Sequence, residues 1–321
     1  MAVEPVRDKW KNPITEVTIG ALKEEGGTRA SVVRIGGETT MPFLHDDGGM
    51  PHEPVVAMEV WDIEPTEMAD ELRKYYSDVY TDPAAWAKKC VEQYGAAMIC
   101  LRLMGTHPDW GDRDAAHARG AVRKVLDAVG VPLIILGCGQ AEKDNAVLPQ
   151  VSQEAKGERC LIGDITEGNS KTIVASAIAD GHNVICEAPL DINIAKQVCI
   201  LATDMGIGLD RLVAFHTNGG LGYGLEYAYS IMERSRLAGL GGDKMLATPI
   251  IAVMSTETWR CKEAKAPESE FPHWGDTSRR GIAWEALGAT TYLLGGTDVL
   301  VMWHPEAVKT AKAFIEKMMK K

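Results

Sequence analysis

Side chains able to hold a proton, a metal or a flat ligand recur in this sequence just after short apolar runs. The acids Asp62, Glu64, Asp164 and Glu187 and the histidines His107, His216 and His304 all sit in such places. Two carboxyl groups brought together can act as general acid and base, although carboxylates at strand ends are common. Three histidines with Asp62 or Asp164 would suit a metal, but no H-x-H or H-E-x-x-H spacing supports one. Histidines hydrogen-bonded at loop ends are the favoured reading. A strand-end lysine for Schiff-base chemistry and a G-x-S-x-G nucleophile turn are both missing.

The most unusual stretch is "HTNGGLGYGLEY", His216 to Tyr227, with four glycines between an apolar run and a helical pattern. It precedes a helix, as phosphate cradles do. However, it matches neither G-x-x-x-x-G-K-[ST] nor G-x-G-x-x-G, and no Lys, Ser or Thr follows to hold a phosphate. Two readings stand side by side. The glycines permit close packing of a turn, or they leave a flat backbone surface open to a broad ligand.

The elements that must position these residues form a regular series. Apolar, β-branched runs begin at Val55, Ala97, Pro132, Cys160, Asn183, Leu212, Pro249 and Val299. Continuous rather than alternating apolar runs mark parallel strands covered on both faces. Helical patterns such as "DPAAWAKKCVEQY" and "DAAHARGAVRKVLDAV" lie between them. The mean step is about 35 residues, near the roughly 31 of a typical (β/α)8 unit. An α/β TIM barrel over residues 51–321 is therefore expected, with an open doubly wound sheet as the rival. Residues 1–50 fall outside the series. "VTIGAL" and "RASVVRIGG", joined by "KEEGGT", read as a β-hairpin extension lying on one barrel end.

Composition narrows the function. A net charge of −11 with no segregated basic patch argues against nucleic acid. No apolar run reaches the roughly 18–20 residues of a membrane span, and no signal-like segment opens the chain, so a cytoplasmic location is expected. The seven cysteines form no C-x-x-C pair. They read as free thiols, not as ligands of a cluster.

The segments "APLDINIAKQVCIL", "NGGLGYGLEYAYSIMERSRLAGLGGDKML", "WRCKEAKAPESEFPHWGDTSRRGIAWEA" and "MWHPEAV" together resemble the small subunit of the corrinoid iron–sulfur protein. "GTRASVVRIGGETTMPF" and "AMEVWDIEP" extend the likeness over nearly the whole chain. That family serves the reductive acetyl-CoA (Wood–Ljungdahl) pathway of carbon fixation and includes the delta subunit of archaeal acetyl-CoA decarbonylase/synthase. The resemblance implies a TIM barrel paired as a heterodimer with a large subunit, which carries a [4Fe–4S] cluster and a corrinoid-binding domain. Cobalamin would lie between that domain and the C-terminal face of this barrel. Methyl groups would come from methyltetrahydrofolate through a separate methyltransferase and leave to acetyl-CoA synthase/CO dehydrogenase.

On this reading Asn218, Gly219, Gly220, Leu221, Gly222, Tyr223 and Gly224 form part of the cap over the corrin. Tyr223 would give an edge contact and Asn218 a hydrogen bond, with Thr166, Cys138 and His304 as further contacts. The cobalt centre would do the chemistry, and no catalytic or metal-ligating residue is expected in this chain. The alternative is a pterin-dependent methyltransferase binding methyltetrahydrofolate directly at Asp62, Asp164 and Asn218. A third possibility is a subunit that only stabilises its partner.

Overall fold

The computed structural model describes residues 6–217 and 219–320. Eight parallel strands close into a barrel: β3 (Val55–Trp61), β4 (Met98–Arg102), β5 (Leu133–Leu136), β6 (Leu161–Ile165), β7 (Asn183–Glu187), β8 (Leu212–Phe215), β9 (Ile250–Val253) and β10 (Val299–Met302). β10 pairs with β3 through Val299–Val55 and Val301–Ala57, which completes the ring. The expected TIM barrel is what the chain forms.

Side chains alternate between the two barrel faces. Ala57, Met98, Cys100, Ile134, Leu136, Leu161, Ile185, Val213 and Val301 fill the interior as one cluster. Their neighbours, such as Val56, Met58, Leu212 and Ala214, pack outward against the helices. Both faces are dry, which explains the continuous apolar runs.

Helices α1 (Asp70–Tyr76) and α2 (Pro83–Glu92) follow β3, and α3 (Ala115–Ala128), α4 (Ala141–Glu154), α5 (Ser170–Asp180) and α6 (Ile192–Asp204) follow the next four strands. α7 (Leu225–Leu240) follows β8. After β9 come α8 (Ser255–Arg260), α9 (Lys262–Lys265) and the long α10 (Thr277–Gly295), and α11 (Pro305–Met319) closes the series. α2 starts where its sequence requires. Asp82 accepts a hydrogen bond from the Ala84 amide at 3.1 Å, with Pro83 in the first helical position. No helix among the described residues is long and apolar enough to cross a membrane.

The N-terminal extension contributes β1 (Val17–Ile19) and β2 (Val33–Ile35), which pair antiparallel. It closes the N-terminal end of the barrel. Val17, Ile19 and Ile35 are at most 1% exposed and belong to the same cluster as the barrel interior. The Asn183 side-chain amide at the start of β7 donates to the Thr18 carbonyl at 2.8 Å. The connection between the strands is longer than the expected turn "KEEGGT". Residues 20–32 leave β1, make a 3₁₀ turn at Lys23–Glu25 and return along the barrel floor. Arg29 fastens this return to the floor. Its Nε bonds Glu158 at 2.8 Å, and its other nitrogens reach the carbonyls of Val129 and Leu126 at 2.6 and 2.8 Å.

A second buried arginine locks the extension to the last two strands. Arg236 of α7 reaches Glu38 at 3.2 Å and Asp298 at 2.7 Å, and it also donates to the Gly296 carbonyl. Asp298 in turn accepts from the Ile250 amide at 2.7 Å. Burial first, and then the charge of Asp298, pushes the Glu38 carboxyl up to about 8 against the pull of Arg236. Removing one member of a buried ionic cluster leaves the others desolvated and unpaired. Arg236→Ala should therefore lower the unfolding free energy by about 3–5 kcal/mol in urea titrations. A loss within about 0.5 kcal/mol, the size of an ordinary surface change, would show that the cluster does not anchor the floor.

Candidate functional site at the barrel mouth

At the C-terminal end of the barrel the inward-facing row changes from apolar to charged. Glu59 of β3 is 1% exposed and gathers donors from three segments. Trp61 Nε1 donates at 2.7 Å, Arg102 Nε at 2.9 Å and Ser255 Oγ at 2.5 Å. Burial works against the Arg102 charge, but Glu59 first, with other acids of the mouth, more than offsets it and holds the guanidinium above its ordinary value.

Asp164 at the end of β6 and Glu187 at the end of β7 are half-buried near Arg102. Burial raises both carboxyls. The neighbouring Glu187 charge raises Asp164 further, and Arg102 pulls each of them down. Asp164 Oδ1 is sealed from solvent and has no hydrogen-bond partner among the described residues. Arg102 Nη2 also reaches the second Glu59 oxygen at 3.4 Å, so its Nε–Nη2 edge is spent on that acid, and Asp164 and Glu187 stand beside it at the mouth as acceptors. Asp62 has no such freedom. One of its oxygens accepts from the Gly105 amide at 2.8 Å and the other faces His117 Nε2 at 3.2 Å, so it ties the β3 and β4 loops together.

Cys138 and Thr166 stand on the loops after β5 and β6. The Cys138 amide donates to Asp144 at 2.8 Å, and burial pushes its thiol up. The Thr166 amide donates to the Asn169 side chain at 2.6 Å, and Asn169 Nδ2 returns to the Asp164 carbonyl at 3.0 Å. Thr166 therefore helps to set the backbone that carries Asp164.

Asn218 lies outside the described residues. Beyond it, Gly219–Gly222 make a 3₁₀ turn. The residues of the stretch differ in packing. Leu221 is 2% exposed and packs where α10 carries Gly288, its Cδ2 lying 3.3 Å from where a Cβ on that glycine would stand. Its side chain faces the core, so only its backbone is left for a ligand. Gly222 is open, since a Cβ there would find Cys261 Sγ at 3.8 Å and nothing nearer. Tyr223 stands 90% exposed, and Gly224 turns into α7 at φ +145°.

The histidines do not converge. His107 bonds the Asp109 amide through Nδ1 at 3.1 Å, with Gln140 beside Nε2. His216 has the same facing as Leu212 and Ala214, toward the helices. Burial, and then the Arg236 charge, lowers it to about 4. His304 caps α11 by accepting from the Glu306 amide at 3.2 Å. Its ring stacks on Trp259 at 5.8 Å and meets the Tyr75 ring edge-on at 4.8 Å. Burial lowers it to about 4. It is a helix cap in an aromatic stack. Among the described residues no group of three His, Cys, Asp or Glu is arranged to hold a metal.

Sequence reasoning misses Glu59, Arg102 and Glu285. The first two carry a visible signal, a charge at an inward position of an otherwise apolar strand. Glu285 of α10 is fully buried and accepts from the Trp303 amide at 2.6 Å, Trp259 Nε1 at 3.0 Å and the His304 amide at 3.1 Å. It joins β10 to α8, and nothing in its helical context announces that role.

The sequence pattern of the CO dehydrogenase/acetyl-CoA synthase delta subunit matches residues 16–309. The chain belongs to this family. It is 37% identical over 314 residues to the acetyl-CoA decarbonylase/synthase complex subunit delta of Archaeoglobus fulgidus, covering 96% of this chain and 69% of that one. The Methanopyrus kandleri subunit delta is 36% identical, with 95% and 75% covered. The match agrees with the family that the sequence resembles. Solved structures of similar fold include dihydropteroate synthase from Xanthomonas albilineans with 7,8-dihydropteroate. It is 12% identical, has a TM-score of 0.58, and the likeness covers 88% of this chain and 100% of that one. The Vibrio fischeri dihydropteroate synthase is 15% identical with a TM-score of 0.57, over 85% and 96%. These likenesses show a shared barrel fold.

Two outcomes test the mouth. A Cβ on Gly281 would lie 2.4 and 2.6 Å from the Trp259 ring, which cannot yield as a flexible chain end does. Gly281→Ala should displace Trp259 from Glu285, alter the near-ultraviolet circular dichroism and destabilise the fold by about 1–3 kcal/mol. Gly222→Ala should change neither. Glu285 supplies the second. Burial pushes its carboxyl up to about 7, against the pull of its three N–H donors. The native state then keeps a proton that the unfolded chain has already released. This contribution to stability is full below the unfolded carboxyl range and is lost as pH rises through about 7. Glu285→Gln should flatten that part of the stability–pH curve, and an unchanged slope would remove Glu285 as its source.

Proposed function

We propose that the chain is the small subunit of a heterodimeric corrinoid iron–sulfur methyl carrier, and that its barrel mouth caps the corrinoid held by the large subunit. Family membership is the observation that carries this reading, because the match includes the glycine turn and both flanking strands. The residues of the mouth fit a broad ring fringed with amides. Gly222 gives an open backbone, and Tyr223 stands free beside it. Arg102 offers a donor, and Asp164 and Glu187 offer acceptors for amide groups.

The corrinoid, when bound, supplies the carrier for the methyl group. The residues of this chain bind and screen it without ligating it. The His216 and His304 rings are buried, and burial pushes the Cys138 thiol up. Neither the imidazoles nor the thiol would then ligate the corrinoid or hinder methyl exchange on it. All seven cysteines are buried and unpaired, which supports assigning the [4Fe–4S] cluster to the large subunit. Methyltetrahydrofolate, through its methyltransferase, and acetyl-CoA synthase/CO dehydrogenase would be the donor and acceptor partners.

One observation favours a second reading, a methyltransferase that binds a pterin itself. A structure of the same fold holds 7,8-dihydropteroate, and Asp164 has an oxygen with no hydrogen-bond partner among the described residues. With Asp62 fully engaged, that reading rests on Asp164.

Native mass spectrometry of the tagged chain, purified without oxygen from its own cells, separates the two. The expected species is a one-to-one complex with a larger chain that contains corrinoid and iron. In that complex, Gly222→Val should lower corrinoid content several-fold while leaving thermal unfolding of the barrel unchanged. A lone chain or homodimer that takes up methyltetrahydrofolate would overturn the carrier reading in favour of the second.

A further inference from the structure

Four tryptophans from four separate segments meet beside the mouth. Trp61 ends β3, Trp110 lies in the loop after β4, Trp259 belongs to α8 and Trp303 follows β10. Trp61 contacts Trp110 edge-to-face at 5.2 Å and Trp303 at 5.5 Å. With neighbouring residues they line a cleft of about 120 Å³. A cavity of about 150 Å³ holds a benzene molecule, so this cleft is on the scale of one aromatic ring.

The indole N–H groups are not equivalent. Those of Trp61 and Trp259 are spent on Glu59 and Glu285. Trp303 is 4% exposed, yet its Nε1 is sealed from solvent and lacks a partner among the described residues. The cleft therefore meets a ligand with the faces and edges of its indole rings. Charge at the edge of the cleft gives a second, independent indication. Lys265 is exposed, with no carboxylate within 4.0 Å among the described residues. Arg260 is 60% exposed and only loosely paired with Glu257 at 3.5 Å. Glu67 is the acid lining the same cleft, so lysine and arginine outnumber it.

We propose that this cleft is a binding site for a small aryl carboxylate. A single planar ring would lie among the indoles, and its carboxylate would face Lys265 and Arg260. Aromatic walls select a flat ring through offset and edge contacts. The cations at the edge select an anion over its neutral amide. This proposal does not depend on the corrinoid reading, since the cleft is built wholly from this chain.

The test uses the full chain without added corrinoid and benzoate as the probe, followed by tryptophan fluorescence and calorimetry. Benzamide, which lacks the charge, and cyclohexanecarboxylate, which lacks the ring, serve as controls. Benzoate should bind saturably and at least about five-fold more tightly than either control. Lys265→Ala, an exposed change that leaves the fold intact, should weaken it by about 3–10-fold. Absence of saturation overturns the proposal. So does equal binding of the three probes, or an unchanged affinity in the Lys265→Ala variant.

Discussion

Placing Glu59 inside an apolar barrel removes its carboxylate from water, and the mouth is organised around replacing what water supplied. Three segments contribute: Trp61 from its own strand, Arg102 from the next, and Ser255 from the first turn beyond β9. A buried charge without such partners is strongly unfavourable. The same bonds that satisfy Glu59 therefore fix the register of two strands and the start of α8. They also set the angle of Trp61 and present Arg102 to whatever enters.

Glu285 repeats this arrangement from the helical layer. It takes two backbone amides at the end of β10 and the indole of Trp259. Two buried carboxyls, one inside the barrel and one outside it, thus hold the two sides of a tryptophan-lined rim. The opposite end of the barrel is closed by apolar side chains of the extension and by two arginine clusters. The molecule is consequently polar and open at one end and sealed at the other, which is the division of labour expected of TIM barrels.

All eight barrel strands are legible in the sequence, and their starts differ from those expected at Val55, Ala97, Pro132, Cys160, Asn183, Leu212, Pro249 and Val299 by at most one residue. Burial on both faces writes itself into continuous apolar runs, so the signal is strong. Short pieces held by tertiary contacts leave no comparable trace, and α1 and α8, of seven and six residues, pass unnoticed. The extension is legible as two strands, but the path between them depends on Arg29 finding Glu158 far along the chain. The site follows the same rule. The openness of Gly222 can be expected from residue type alone. The inward turn of Leu221 depends on the space left by Gly288, and the facing of His216 and His304 depends on strand parity and a helix start.

The sealed end also carries a consequence for how the chain is made. Glu38 lies near the start of the polypeptide, while its partner Arg236 is 198 residues away and Asp298 is later still. Contacts of such separation require closing long loops before they yield any stabilisation. During synthesis the extension emerges first, yet its place on the floor exists only after β9 and β10 are available. Val17, Ile19 and Ile35 must remain without their final burial for most of translation. The first segment to leave the ribosome is thus among the last to be fastened, and the nascent chain carries an exposed apolar hairpin until the ring is closed.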